Sequence, residues 1–335
     1  MDALELTRAL VALDTPTGAE GPAIEYLDGR LRRAGYRVVR QTVSPGRDNI
    51  YAYRDIPALV FSTHVDTVPP YIPLTEDGDA IHGRGSCDAK GIAAAMIAAA
   101  ERLAAKGERR IGLLFVVGEE NGSDGALAAT GLGPRGSFIV NGEPTENRLS
   151  IGQKGTLRVD LAASGRAAHS AYPDEGSSAI AALLDTIERI RRMPLPSDPL
   201  LGPSTLNVGL IGGGVAPNVL APKASAQILI RTVEPTAPLK AAIRGLLSPN
   251  VSVTFPVELP FHKGGMAPSG WDTTVVSFAS DLPFLASSWG EGYQLGPGSI
   301  RVAHTDREHI LKTDLLRGVE LYVRLAADLL ARAPA

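Results

Sequence analysis

The stretch ALVFSTHVDTVP, residues 58–69, sets a mostly apolar run directly before a histidine and an aspartate. Residues 58–63 have the length and composition of a strand buried on both faces. Alternate side chains of an extended chain point to the same side, so the spacing predicts that His64 and Asp66 lie together. A carboxylate beside an imidazole can fix its tautomer and leave the other ring nitrogen free for a metal ion. For this motif alone, a turn with an ordinary ion pair is the alternative.

Similar strand patterns alternate with helical patterns on either side of this stretch. The apolar runs at 111–117 and 137–141 are predicted strands, and residues 90–105 are a predicted alanine-rich helix. The remaining predicted elements are helices at 3–13 and 22–34 and a strand at 36–43. Strands interleaved with helices predict a mixed α/β sheet covered by helices.

The pattern changes near Gly155, where alternating polar and apolar residues are typical of half-exposed antiparallel strands. The predicted elements are strands at 156–163, 204–211, 224–232 and 251–255 and helices at 178–191 and 239–247. Their order, β-α-β-β-α-β, predicts an inserted α+β domain of ferredoxin-like form at 154–258. The larger domain is then discontinuous, at 1–153 and 259–335. After Pro260 the sequence predicts Gly-rich and Pro-rich loops and a C-terminal helix at 314–331.

Composition and charge exclude several classes of protein. The 33 basic and 36 acidic residues give a net charge of −3, so there is no electrostatic reason to expect nucleic acid or an anionic membrane as a partner. The single cysteine, Cys87, excludes an internal disulfide framework and favours a reducing compartment. The sequence begins without a secretory signal, and its longest apolar run, 91–100, is half a membrane span. We therefore expect a soluble, cytoplasmic protein.

Asp88 lies in GRGSCDAKG, residues 83–91, in the loop that opens the alanine-rich helix. A phosphate loop is disfavoured because the third glycine of the dinucleotide pattern and a preceding strand are both missing. Asp88 could cap the helix, or it could bind a metal ion from a glycine-shaped turn.

Glu119 and Glu120 follow the predicted strand at 111–117, in GEENG. Two adjacent carboxylates after a buried strand are unfavourable unless they have partners. If the chain remains extended there, the two side chains project to opposite sides, so that one could bind a metal ion while the other acts as a base. A solvated acidic turn is the alternative.

Glu143 follows the strand at 137–141, and His304 follows a Gly-Pro-Gly sequence at 296–298. Ligands of open α/β sheets bind at the carboxyl ends of the strands, where most of these clusters are expected. Two histidines and three carboxylates suit Zn²⁺, with Mn²⁺ or Co²⁺ as alternatives. The candidate metal ligands are His64, Asp88, Glu120, Glu143 and His304. The sequence contains no Gly-x-Ser-x-Gly elbow, Walker loop or Cys-x-x-Cys pair that would favour another chemistry.

Together these motifs resemble those of a metallopeptidase family. It contains acetylornithine deacetylases, succinyl-diaminopimelate desuccinylases, aminoacylases, carboxypeptidases that act on glutamate-type substrates, and some dipeptidases. The resemblance runs from about Leu6 to the C-terminal helix. It implies a catalytic α/β domain with two zinc ions, or cobalt or manganese, and an inserted lid that mediates homodimerisation.

The resemblance also assigns roles to the candidate residues. It implies that one metal ion is held by His64, Asp88 and Glu143. It implies that the second is held by Asp88, Glu120 and His304. Asp88 would bridge the two ions, Glu119 would be the general base, and Asp66 would orient His64.

Two segments of the predicted lid match the family as well. The sequence GRAAHSAYP at 165–173 implies that His169 reaches the partner subunit's active site and stabilises an oxyanion. The segment GGGVAPN at 212–218 implies that Asn218 contacts the oxyanion or the substrate carboxylate, and that Arg231 pairs with the substrate α-carboxylate. The alternatives are a surface histidine and a structural salt bridge within the lid.

The resemblance implies hydrolysis of an amide bond by metal-activated water. The activity expected first is removal of the acyl group from an N-acylated amino acid. A dipeptidase or carboxypeptidase of the same family acting on short peptides is the alternative. A catalytically silent binding module would lack a ligand or the base, and none of these residues is missing.

Overall fold

A computed structural model of the chain describes residues 2–333, which divide into two compact units. Unit 1 consists of the residues up to Ile151, Lys263–Val275, and the residues from Ser280 onward. Unit 2 consists of Gly152–His262 and Val276–Ala279. The insertion predicted at 154–258 lies within unit 2.

The helices are listed here in chain order. They are α1 (Ala3–Val11), α2 (Gly21–Arg33), α3 (Lys90–Ala105), α4 (Asp124–Ala129), α5 (Ala179–Arg192), α6 (Thr236–Gly245), α7 (Leu282–Trp289) and α8 (Lys312–Leu330). Short 3₁₀ helices occur at Glu119–Asn121 and Pro173–Glu175. Within residues 2–333, no helix combines the length and the apolar character that crossing a membrane requires.

The strands are also given in chain order. They are β1 (Arg37–Ser44), β2 (Arg47–Tyr53), β3 (Leu59–His64), β4 (Thr75–Glu76), β5 (Ala80–His82), β6 (Ile111–Val116), β7 (Phe138–Asn141), β8 (Leu149–Gln153), β9 (Gly155–Ser164), β10 (Ser197–Asp198), β11 (Gly202–Pro203), β12 (Thr205–Gly213), β13 (Lys223–Thr232), β14 (Val251–Thr254), β15 (Glu258–Leu259), β16 (His262–Lys263), β17 (Thr273–Val276), β18 (Glu291–Gln294) and β19 (His309–Leu311).

The main sheet of unit 1 is mixed, which confirms the predicted α/β class. Its strand order is β1-β2-β6-β3-β7-β18-β8-β16, with β17 paired to β8. The central strands β6, β3, β7 and β18 are parallel, whereas β1, β2 and β6 pair antiparallel. Parallel strands end at the same edge of a sheet, so the loops after β3, β6, β7 and β18 meet there.

Helices cover both faces of this sheet, which explains why β3 and β6 are buried at every residue. Phe61 and Phe115 pack in one core cluster with apolar residues of α1, α2, α3 and α8. Val60 and Leu114 pack in a second cluster with Ala126 of α4 and residues of α7. A strand that packs against apolar residues on both faces has a mostly apolar sequence without alternation, as at 58–63.

The prediction of loops between Pro260 and the C-terminal helix is wrong in part. This region contains α7 and β18, and β18 extends the parallel core of the sheet beside β7. Both elements are short, Gly290 separates them and Gly292 lies within β18, so neither presents a long periodic pattern. The sequence analysis also does not predict β2. This strand begins with the charged residues Arg47 and Asp48 and ends with five consecutive buried residues, so it shows no polar–apolar alternation.

Unit 2 is built on an antiparallel sheet with strand order β12-β13-β9-β14, and β15 pairs with β9. Alternate residues of β13 are buried, as expected of a strand with one covered face. These residues form one core with apolar side chains of α5 and α6, including Leu183 and Ile243.

Candidate metal centre

Five side chains at the carboxyl-terminal edge of the unit 1 sheet bring metal-binding atoms close together. They form two groups, in each of which one ligand atom per residue lies within 4.8 Å of the others. The first group is His64, Asp88 and Glu143. The second group is Asp88, Glu120 and His304. Asp88 belongs to both, so the geometry suits two cations that share one carboxylate.

The hydrogen bonds of His64 show how its ring is oriented. His64 ends β3 and is 1% exposed. Its Nδ1 lies 3.0 Å from the backbone oxygen of Asp66 and must donate there, because a carbonyl can only accept. In the neutral ring, Nε2 then carries the lone pair, and it lies 3.1 Å from Asp88 Oδ1. Two acceptors that face each other need a cation or a proton between them.

His304 approaches Asp88 from the opposite side. Its Nε2 lies 3.4 Å from Asp88 Oδ2 and 3.0 Å from Glu120 Oε1. Hydrogen bonds with Asp88 and Glu120 raise the pKa of His304 to about 10. Burial opposes ionisation of Asp88, but the two histidines outweigh it and hold the pKa of that carboxyl below its ordinary value. His304 has a φ of 64°, an uncommon conformation for a residue other than glycine.

The other carboxylates of the cluster are buried close to like charges, which disfavours their ionisation. Burial, followed by the charge of Asp88, raises the pKa of Glu143 well above its ordinary value. Burial also raises the pKa of Glu120. Glu143 Oε1 is buried and has no hydrogen-bond partner among residues 2–333. An unpartnered buried carboxylate oxygen grouped with the His64 imidazole and the Asp88 carboxylate fits a divalent metal ion, which would satisfy these groups together.

Asp66 fixes the turn that carries the two glutamates. Its carboxylate accepts hydrogen bonds from the backbone N–H groups of Glu119 and Glu120, each at 3.2 Å, and from the Thr17 hydroxyl at 2.7 Å. The chain therefore turns into a 3₁₀ helix at Glu119–Asn121, and the expectation of an extended chain there is wrong.

Glu119 lies at the start of this turn. Burial, followed by the charge of Glu143, raises its pKa well above the ordinary value. A carboxyl group with a raised pKa holds a proton more readily, which suits a general base. Unlike Glu120, Glu119 belongs to neither group of candidate ligands.

The capping role considered for Asp88 is wrong. The N-cap of α3 is Ala89, and no side chain caps this helix. The carboxylate of Asp88 points instead to His64 and His304.

Cys87 is packed against the Gly-Pro-Gly segment. It is fully buried, and its Sγ lies 3.4 Å from the backbone oxygen of Ser299. A Cβ atom added at Gly298 would lie 2.5 Å from Cys87 Sγ, and Gly298 has a φ of +85°. This close approach joins the His304 segment to the loop of Asp88, and it gives the cysteine a packing role.

Two of the candidate lid residues lie side by side in unit 2. The backbone of His169 forms a bridge with Val219, and Ser170 N donates to the Asn218 backbone oxygen at 2.9 Å. Both His169 and Asn218 are exposed. Ala171 N donates to His169 Nδ1 at 3.1 Å, so the neutral ring carries its proton on Nε2 and presents a donor.

Arg231 lies apart from this pair. It is near the end of β13, eight residues after Lys223, which places it roughly 26 Å along the strand from its start. Arg231 Nη1 donates to Thr156 Oγ1 at 2.7 Å, and burial lowers its pKa. Among residues 2–333 no carboxylate pairs with Arg231, so the structural salt bridge considered for it is absent.

Sequence reasoning missed Thr17 and Asp281. Asp281 is 1% exposed, burial raises its pKa to about 7, and its charge also acts on Glu119 and Glu143. Asp281 lies in the region predicted as loops, and Thr17 lies far from Asp66 in sequence. Neither had a local motif that could have marked it.

Comparison with known proteins shows similarity over nearly the whole chain. The profile of the peptidase family M20/M25/M40 matches residues 60–328. A peptidase M20 domain-containing protein of Schizosaccharomyces pombe is 38% identical, covering 96% of this chain and 83% of its own. A probable carboxypeptidase of Aspergillus flavus is 35% identical, covering 98% of this chain and 88% of its own.

The fold is also similar to that of solved structures. A tripeptidase from Staphylococcus aureus superposes with a TM-score of 0.82 at 22% identity, and the match covers 98% of each chain.

We expect Gly298→Ala to destabilise the protein by about 2–5 kcal/mol, because alanine disfavours a positive φ and its Cβ overlaps Cys87 Sγ. The matched control is Gly107→Ala, where φ is +92° and no atom lies within 4 Å of the added Cβ. The free energy of unfolding of the control should fall by only about 1–2 kcal/mol, because only the unfavourable backbone conformation contributes. Urea unfolding of the metal-free proteins measures both.

Adding Cys87→Ala to Gly298→Ala should recover part of the loss, with a coupling of about 0.5–3 kcal/mol between the two sites. Additive effects of the two substitutions would contradict the packing role of Cys87.

Proposed function

The chain belongs to peptidase family M20/M25/M40, and from that membership we propose that it is a metal-dependent peptidase that releases the carboxyl-terminal residue of a short peptide. It is a hydrolase that acts on amide bonds. The observation that carries the proposal is the pair of ligand groups that share Asp88, with Glu119 close enough to feel the charges of Glu143, His64 and Glu120. The name of the Aspergillus flavus relative, a probable carboxypeptidase, favours peptide substrates over the N-acyl amino acids expected first from the sequence.

The residues fit two divalent cations. His64, Asp88 and Glu143 would hold one, and Asp88, Glu120 and His304 would hold the other. The mixture of imidazole and carboxylate suits zinc, and also cobalt or manganese. When bound, such ions polarise a carbonyl group and lower the pKa of water.

Glu119 is proposed to move the proton. Its carboxylate accepts a proton from the attacking water and delivers it to the nitrogen of the leaving amine as the amide bond breaks. Burial of the Glu119 carboxylate favours this exchange, because a desolvated carboxylate binds a proton more readily than one in water. Asp66 would hold Glu119 in place through the backbone of the turn and would orient His64.

Arg231 is proposed to bind the α-carboxylate of the substrate. It is a largely desolvated guanidinium with one hydroxyl partner. A guanidinium forms two parallel hydrogen bonds with a carboxylate, which gives both affinity and orientation. A peptide with a free carboxyl terminus supplies the missing partner.

Unit 2 is proposed to be a lid of ferredoxin-like form through which two chains form a homodimer. His169, with its Nε2 donor, and Asn218 would stabilise the oxyanion in the partner subunit's active site. The separation of roughly 26 Å between the two ends of β13 supports this arrangement, because a dipeptide spans only about 7 Å. In the proposed dimer, one substrate would meet Arg231 of one chain and His169 of the other.

We expect Glu119→Gln to lower the hydrolysis of short peptides by about 10²–10⁴-fold while metal content stays near two ions per chain. The assay panel contains dipeptides, tripeptides and N-acetyl amino acids, each with zinc, cobalt or manganese. Hydrolysis of the N-acetyl amino acids alone would overturn the peptidase in favour of a deacylase. A wild-type chain that hydrolyses none of them would indicate a binding module.

Arg231→Gln should raise KM for peptides with a free carboxyl terminus by roughly 10- to 100-fold. This is the loss of affinity expected when a hydrogen bond between charged groups is removed. Peptides with an amidated terminus should show no change from wild type. Arg158→Gln, on the neighbouring strand β9 and paired with Asp160, is the matched control and should leave KM unchanged. Equal effects on free and amidated peptides would argue against carboxylate recognition.

The shared active site can be tested with hybrid dimers. Co-expression of Glu119→Gln and His169→Ala chains that carry different tags allows the hybrid to be isolated. If His169 acts in the partner, one of the two sites in the hybrid is intact, and activity should return to about half that of wild type. A hybrid as inactive as its parents would place His169 in its own chain's site, and an active strict monomer in light scattering would exclude sharing altogether.

A further inference from the structure

Glu308 is a buried carboxylate for which the mechanism above has no use. It follows His304 by four residues, directly before β19, and is 1% exposed. Its Oε1 accepts hydrogen bonds from the backbone N–H groups of Gly85 at 2.9 Å, Cys87 at 3.2 Å and Asp88 at 3.1 Å. One oxygen of Glu308 therefore accepts three backbone hydrogen bonds from the loop 83–88, which ends at Asp88, the ligand shared by both groups.

The second oxygen of Glu308 is also satisfied. Glu308 Oε2 lies 2.5 Å from Arg84 Nη1, and Arg84 is itself 2% exposed. Arg84 also donates to the backbone oxygens of Pro70 and Thr305, at 3.2 and 3.3 Å. Gly83 N donates to the Glu308 backbone oxygen at 3.1 Å. Side-chain and backbone bonds thus join the segment 304–308 to the loop 83–88 at several points.

This connection matters because the two segments carry ligands of the same group. Asp88 comes from the loop 83–88 and His304 from the segment 304–308, and their side chains meet at 3.4 Å. Groups behind a ligand orient it, and their loss commonly weakens metal binding. A carboxylate that binds both segments fixes the distance between these two ligands.

We propose that Glu308 is a positioning residue of the metal centre, which holds the backbone of Asp88 in register with His304 so that both can bind the same cation. It contacts no substrate and no metal ion. The proposal rests on the metal centre proposed above. The alternative is that Glu308 and Arg84 form an ordinary buried ion pair that stabilises the fold without affecting metal binding.

The substitution Glu308→Gln distinguishes these roles. A glutamine presents one acceptor and one donor, so it cannot accept from Arg84 and from the three backbone groups at once. Adding Arg84→Met removes the opposing donors, and the glutamine oxygen can then face the loop.

The matched control is Glu101→Gln, which breaks a partly buried ion pair with Arg54 at 2.7 Å that involves neither ligand segment. The readouts are the zinc dissociation constants from competition with a chromophoric chelator, the visible spectrum of the cobalt-loaded protein, and the Tm of the metal-free protein. None of them depends on turnover.

We expect Glu308→Gln to weaken zinc binding at one or both sites by about 10- to 100-fold and to change the cobalt spectrum. The double variant with Arg84→Met should regain most of this affinity. Glu101→Gln should lower Tm without changing either metal readout. If Glu308→Gln fails to fold, Glu308→Asp, which keeps the charge but shortens the reach, should show the same loss.

Zinc affinities within threefold of wild type and an unchanged cobalt spectrum in the Glu308 variants would overturn the proposal. So would an equal loss of affinity in Glu101→Gln, since that would show a general effect of destabilisation. A wild-type chain that binds no divalent ion would overturn the metal centre together with this proposal. If wild type binds two ions and the Glu308 variants bind them equally well, the positioning role alone fails.

Discussion

The mutual repulsion of carboxylates at one edge of the sheet is the constraint on which this structure depends. Glu119, Glu120 and Glu143 are brought together where burial and neighbouring charge both raise their pKa values. Asp88 remains the more acidic group because an imidazole faces each of its oxygens. Such a cluster is unfavourable unless positive charge is placed inside it, so the fold has to hold these groups together against their own repulsion.

Rigid backbone supplies this restraint. The parallel strands β3, β6 and β7 are buried on both faces, and they place His64, Glu120 and Glu143 at the same edge of the sheet. Side chains behind the ligands then fix the loops: Asp66 binds the backbone of the glutamate turn, and Glu308 binds the backbone of the Asp88 loop. Both use carboxylate oxygens to collect backbone N–H groups, and in this way two acids shape the site without joining the candidate ligands.

The part of this site that could be predicted from sequence is the part that follows strong local patterns. His64 and Glu143 could be placed because each follows a short apolar run that predicts a buried strand, and the carboxyl ends of such strands meet at one edge of the sheet. The turn at Glu119–Asn121 and the anchor Glu308 could not be found in this way. Their conformation is determined by partners 53 and 220 residues away, Asp66 and Asp88, and no local pattern reports such contacts. The same holds for α7 and β18, which are held by the sheet they join.

Specificity within such a site must come from the amino side of the bond that is cleaved. A dipeptide and an N-acyl amino acid place their carboxylates at the same distance from the amide, so Arg231 would bind both equally. The two differ beyond the carbonyl, where a dipeptide carries an ammonium group and an acyl amino acid carries an apolar one. An ammonium group needs an oxygen acceptor, and leaving it unpaired is far more unfavourable than leaving an apolar pocket half filled. The groups that face this side, and not the metal ligands, therefore decide between a peptidase and a deacylase.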